Sequence, residues 1–133
     1  SLAFERATAQ RFFKMLRRRC DAAAVIEPRH ATWFDDAVEP LLIEHRIGRV
    51  AADPAVVAAA AEPGGDPGVV YFRLHGSPRI YYSSYDDAFL ARIAERLEQA
   101  RSAGTQAWCI FDNTAHGAAI PNALRTASLT TTR

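Results

Sequence analysis

The chain has 133 residues, sixteen lysines and arginines against fifteen aspartates and glutamates, and a formal net charge of +1. One domain accounts for that length, and a chain of this size can bury roughly two thirds of its unfolded surface. The near-zero charge excludes a general attraction to nucleic acid or anionic membrane while leaving room for a local basic patch, and no apolar run approaches the roughly 20 residues that cross a bilayer.

Ser1-Leu2-Ala3-Phe4 opens the chain without a methionine and leads directly into a helical pattern, so a piece of a longer protein or a processed product is expected. A helix is predicted over residues 5–19, with Ala9, Phe12, Phe13, Leu16 and Cys20 on one apolar face. Arg17, Arg18 and Arg19 close it near the negative end of the helix dipole. That triple reads first as a solvated helix end, with a phosphate-binding patch as the alternative. A first strand over Ala23-Ala24-Val25-Ile26 runs into Glu27-Pro28-Arg29-His30. Trp33-Phe34-Asp35-Asp36 then leads into a helix carrying Val38, Leu41, Leu42 and His45, with Gly48 as its expected stop.

A second strand over Arg49-Val50-Ala51-Ala52 meets Asp53-Pro54. Residues 55–68 read as a short helix followed by a flexible surface loop. The third strand, Val69-Val70-Tyr71-Phe72, ends in Arg73-Leu74-His75-Gly76. The S-x-x-D pattern at Ser84-Tyr85-Asp86-Asp87 predicts a helix start, with Phe89, Ile93, Leu97 and Ala100 as its buried stripe. The fourth strand, Trp108-Cys109-Ile110-Phe111, runs into Asp112-Asn113-Thr114. A last helix is predicted to start between Gly117 and Ile120, because Pro121 is tolerated only in a first turn, and the tail from Thr130 to Arg133 is expected to fray.

Short apolar runs separated by helical patterns argue for an α/β fold with a parallel sheet, in which ligands bind beyond the carboxyl ends of the strands. The polar residues at those ends are therefore the candidate site. Glu27, His30, Asp53 and His75 come from three adjacent strand ends about 4.8 Å apart and suit a divalent ion, although none of their spacings is a metal motif. Charge neutralisation of Glu27 by Arg29 or Arg73 is the competing reading. Both arginines offer rigid donor forks for a carboxylate or phosphate, and Gly76 and Gly117 let backbone N–H groups approach a ligand. His30, His75 and His116 are candidates for acid–base work near neutral pH. Asn113 and Thr114 either orient substrate or cap the last helix. Trp33, Tyr81, Tyr82 and Tyr85 either line a pocket for a ring or cover the end of the core. Cys20 and Cys109, with no CxxC pattern, suit a reducing cytoplasmic setting in which buried thiols act as small hydrophobes.

These strand ends resemble a known family. Glu27-Pro28-Arg29-His30-Ala31-Thr32-Trp33-Phe34 is similar to the E-x-R-H-x-x-W motif of the DUF72 (YecE-like) family. Ala51-Ala52-Asp53-Pro54, Tyr71-Phe72-Arg73-Leu74-His75-Gly76 and Phe111-Asp112-Asn113-Thr114-Ala115-His116-Gly117 resemble its later motifs, in order. Pro28 stands where an aromatic is usual, Asp112 where asparagine is common, and His116 where a glycine is frequent. The resemblance implies a TIM (β/α)8 barrel of about twice this length. This chain would then be one partial domain over residues 1–133, four parallel βα units forming strands five to eight.

Several expectations follow. The strand-end pocket takes an anionic or phosphorylated small ligand, with a divalent ion as an unassigned cofactor. As an enzyme, the chain fits a metal-assisted hydrolase or lyase. Glu27 would be base or metal ligand, His75 acid or base, Arg29 and Arg73 the anion clamp, and Asn113 and Thr114 the positioning groups. The alternatives are a non-catalytic module for nucleic acid (disfavoured by charge) or a phosphometabolite, and an inactive truncated fragment. A four-stranded parallel fragment leaves two edges unpaired, so self-association or a missing N-terminal half-barrel is expected to complete it.

Overall fold

The structure is a computed structural model and describes residues 2–130. Helix α1 runs Arg6–Arg17, shorter than predicted at both ends. Glu5 is its N-cap rather than its first turn: the carboxylate accepts from the backbone N–H groups of Ala7 and Thr8, satisfying donors that every helix start leaves open. Cys20 lies beyond the helix and is exposed, so it is no part of an apolar face. Cys109 is half-buried, and burial pushes its thiol up to about 12.

The remaining elements are β1 Ala24–Ile26, α2 Val38–Glu44, β2 Ile47–Arg49, β3 Ala51–Asp53, β4 Gly64–Gly65, β5 Val69–Leu74, α3 Asp87–Ser102, β6 Gln106–Phe111 and α4 Ala119–Thr130. Two three-stranded sheets result, ordered β1-β2-β4 and β3-β5-β6. The pairs β1–β2, β3–β5 and β5–β6 are parallel, and β2–β4 alone is antiparallel. The fold is thus mixed α/β with parallel sheets. The predicted second strand is β2 and β3 together, interrupted at Val50, whose N–H donates to the Ile26 carbonyl at 2.9 Å. One extended segment pairs with β1 and β4 along its first half and with β5 along its second.

Three local expectations are corrected. Helix α2 stops before Gly48, with His45 as C-cap and Arg46 at φ 54°; Gly48 itself sits inside β2. A Cβ there would stand 2.6 Å from Val69 Cγ1, so the residue serves close packing rather than a helix stop. Residues 55–68 contain only a 3-10 turn, Ala58–Ala61, and then β4, which is tied down rather than a free loop. Gly65 donates to Glu39 Oε1 at 2.7 Å and has φ +70°, where a Cβ would lie 2.2 Å from the Ile47 carbonyl oxygen. Helix α3 is capped by Asp86, which accepts from Phe89 N–H at 2.7 Å, and not by Ser84. Ser84 turns instead to Asn122 in α4. The predicted start of α4 holds, Thr130 belongs to it, and residues 131–133 lie outside the described residues.

Two buried clusters hold the layers together. One joins Ala9 and Phe13 of α1 to Val38, Leu41 and Leu42 of α2 and Ile47 of β2. The other joins Ala51, Phe72 and Leu74 of the strands to Tyr85 and to Leu90 and Ile93 of α3, with Leu129 of α4 against it. The buried helix residues thus lie on one side of the strands. Strand side chains alternate, so the other side carries Val25, Tyr71, Arg73, Trp108 and Ile110. Trp108 is 48% exposed there.

Candidate functional site

Alternation places residue 73 of β5 opposite the helix-facing Phe72 and Leu74, and residue 75 follows on the same side. Glu27, one residue past β1, and Asp112, one past β6, arrive beside them. Glu27 Oε2 accepts from Arg73 NH1 at 2.8 Å, and Asp112 Oδ2 accepts from Arg73 NH2 at 2.8 Å. His75 bridges the same two carboxylates: Nε2 lies 2.7 Å from Glu27 Oε1 and Nδ1 lies 3.2 Å from Asp112 Oδ2. The second approach is too poorly aligned for a hydrogen bond, and Nδ1 has no hydrogen-bond partner among the described residues. Arg29 NH1 adds a third contact to Glu27, at 2.9 Å.

The electrostatics follow from this arrangement. Burial pushes the Glu27 carboxyl upward, but hydrogen bonds from His75 and Arg73 outweigh it and hold the group below the ordinary carboxylate value. The Glu27 hydrogen bond in turn raises Arg73, against the effect of burial. Since an ionised carboxylate only accepts, the hydrogen shared between Glu27 and His75 resides on Nε2. The histidine side chain is 5% exposed, whereas Arg29 and Arg73 are 39% and 42% exposed. A buried imidazole held between two carboxylates, with two solvent-reaching guanidinium groups beside it, can exchange a proton and attract an anion.

The other candidate residues lie elsewhere. His30 caps the 3-10 turn Ala31–Phe34: its Nδ1 accepts from the Thr32 N–H and lies 2.9 Å from Thr32 Oγ1. Asp53 turns to Tyr85, whose hydroxyl donates to Asp53 Oδ2 at 2.8 Å and accepts from Gly76 N–H at 2.7 Å. Burial and then the Asp53 carboxylate raise the Tyr85 hydroxyl far above its usual value, so it stays protonated. The proposed metal set Glu27, His30, Asp53 and His75 therefore does not converge. Among the described residues, no group of three His, Cys, Asp or Glu could hold a metal ion.

Gly76 likewise does not offer its N–H to a ligand. Its φ of +97°, and a Cβ position 3.0 Å from the Ser83 carbonyl, make it a turn that only glycine fills. The Gly117 N–H is spent on the Thr114 carbonyl at 3.0 Å, and the Thr114 side chain is exposed. Asn113 is fully buried and donates to the Ser83 carbonyl and to Asn122 Oδ1, so it braces loops rather than facing a ligand. Tyr82 and His116 meet at the rim, ring centroids 4.9 Å apart, with the Arg79 guanidinium 3.8 Å over the Tyr82 ring. Trp33 donates to the Leu2 carbonyl and lines an open apolar cleft of about 660 Å³ together with Phe12, Ile26 and Arg29.

Two further residues matter here: Asn122, which the sequence pattern did not single out, and Tyr81, read from sequence only as an aromatic that lines a pocket or covers the end of the core. Asn122 accepts from Asn113 Nδ2 at 2.8 Å and from Tyr85 N–H at 3.2 Å, tying α4 to the loop after β5. An asparagine in a helix, between apolar turns, was the available signal, since such side chains disfavour helix interiors unless employed. Tyr81 holds φ +69° while its N–H donates to the His75 carbonyl, and its ring stands edge-on to His75 with centroids 6.0 Å apart. Nothing in its residue type announces that backbone conformation.

Parallel strands, helices on one side and a charged cluster at the carboxyl ends define an α/β protein whose polar residues gather at one end of its strands. The chain belongs to the family described as protein of unknown function DUF72, which it matches over residues 1–133. A DUF72 family protein from Enterococcus faecalis is 19% identical, with a TM-score of 0.78 over 100% of this chain and 56% of that one. A DUF72 family protein from Thermotoga maritima is 22% identical, with a TM-score of 0.77 over 97% of this chain and 54% of that one. The chain thus spans little more than half the length of these structures, and at such identities the likeness shows the fold alone. No curated protein matches it.

Proposed function

We propose that residues 1–133 form the C-terminal half of a (β/α)8 barrel and that the strand-end cluster binds a small anionic ligand, phosphate-bearing or carboxylate-bearing. One observation carries the ligand reading: Arg73 and His75 bridge the same pair of carboxylates, while the outer edge of the cluster is lined by exposed arginine. Arg29 makes one ion pair through NH1, and an incoming anion takes its remaining donors. In an enzymatic version, Glu27 and His75 move a proton and Arg29 and Arg73 clamp the charge. Metal assistance loses its support, because His30 and Asp53 are committed elsewhere. Calorimetric titration with inorganic phosphate tests the reading. Binding should appear in the wild-type chain and weaken about tenfold in Arg29→Ala, the loss of one charge-assisted contact of about 1.4 kcal/mol. Equal binding by both proteins would remove Arg29 from the site, and no binding by either would remove the site.

The half-barrel reading rests on the uncovered side of the strands, where Trp108 is half exposed, and on the free edges of β1 and β6. Parallel sheets are ordinarily covered on both faces, and free edges invite pairing. A second half-barrel, from another copy or from a longer chain, would cover that side. Light scattering should give twice the chain mass of 14.6 kDa, with aggregation at higher concentration. A monomer with a cooperative melt would count against the reading.

A further inference from the structure

The net charge of +1 hides a segregation. Residues 5–19 hold six of the sixteen basic side chains and one of the fifteen acidic ones. That acid, Glu5, is consumed as the N-cap of α1. The helix has two faces of different use. Ala9 and Phe13 point into the core, and Arg17 lies against the body of the protein, donating to the carbonyls of Cys20, Ala22, His45 and Arg46. The opposite side carries Arg11, Lys14 and Arg18 at i, i+3 and i+7, with Arg19 just beyond. These four are exposed, and no carboxylate among the described residues pairs with any of them. They and Met15 enclose a shallow depression of about 280 Å³. The Arg17-Arg18-Arg19 triple therefore divides: the first arginine is structural and the other two extend an outward basic ridge.

We infer that this ridge binds the phosphate backbone of a nucleic acid. Steps of three and four residues along a helix separate neighbouring side chains by about 5–6 Å, giving a row of cations whose one nearby acid, the N-cap Glu5, reaches only Arg11 and without forming an ion pair. Such a row releases condensed counterions from a polyanion, whatever the charge of the whole chain. A membrane surface fits less well, because α1 turns Ala9 and Phe13 into the core and leaves only Phe12 and Met15 as exposed large apolar side chains, too few for an inserting face. The ridge lies on the far side of α1 from the strand-end cluster, so this inference stands apart from the proposed ligand site.

Fluorescence anisotropy of a labelled single-stranded oligonucleotide with the 133-residue chain, titrated at several salt concentrations, provides the test. Four contacts predict a slope of log affinity against log salt near about −3, at roughly 0.7 per contact. Arg11→Gln/Lys14→Gln/Arg18→Gln keeps good helix formers and should reduce that slope by about 2, with a far-ultraviolet circular dichroism melt like the wild type's. Arg92→Gln, on α3, should leave the slope unchanged. Absence of salt-dependent binding, an unchanged slope in the triple variant, or tighter binding to phosphatidylserine vesicles than to the oligonucleotide would each overturn the inference.

Discussion

Glu27→Gln should melt about 9 °C below the wild type at neutral pH. The carboxylate receives Arg29, Arg73 and His75 together, and a neutral amide cannot replace three charge-assisted contacts. Breaking a fully buried pair costs about 3–5 kcal/mol. Here both arginines are more than a third exposed, so solvent screening reduces the expected cost to about 2.5 kcal/mol. The sign of the pH dependence follows from the lowered carboxyl. A group whose folded value lies below its unfolded value of 4.5 contributes its stabilisation above that unfolded value. The contribution disappears as pH falls through the folded value. Melting temperatures of the two proteins should therefore converge in acid. A gap that persists undiminished near about pH 2, or a variant that melts with the wild type at neutral pH, would refute the account.

Asn122→Leu should cost about 2–4 kcal/mol, through a different mechanism. The substitution keeps the volume but leaves the buried Tyr85 N–H without an acceptor, and removes one partner of Asn113 Nδ2. Amide exchange along α4 should accelerate as its polar tie to the loop after β5 is lost. Adding Asn113→Leu should return part of the loss, because two apolar partners suffer less than one orphaned polar group. Strictly additive costs in the pair would show that the two amides do not act as a unit. Chemical denaturation of the single and double variants decides between these outcomes.

Much of this is legible in the sequence itself. The β-branched and aromatic runs marked the strand segments, and the polar residues after them marked the sheet end that carries the cluster. Glu27, Arg29, Arg73 and His75 do meet, because strand alternation and parallel register bring residues distant in sequence to one edge. What residue type could not reveal was commitment. His30, Asp53 and Asn113 sit at equivalent strand ends, yet each is taken by a neighbour: Thr32, Tyr85 and Asn122. A carboxylate or imidazole is available only when no nearer donor or acceptor claims it, and that depends on the loops. The same limit hid the short β4, since a pair of glycines has no strand propensity of its own and forms this bridge only because Gly48 and Arg49 of β2 pair with it and Glu39 accepts from the Gly65 N–H.

The interruption at Val50 has a further meaning. One buried cluster belongs to α1, α2 and β2, and the other to β3, β5 and α3, with a single extended segment passing from one to the other. Glu27 hangs from the first assembly, while Arg73, His75 and Asp112 hang from the second. The charged cluster is therefore a clasp as much as a site. Its geometry exists only while the two assemblies are seated together, so anything that loosens one against the other disassembles it.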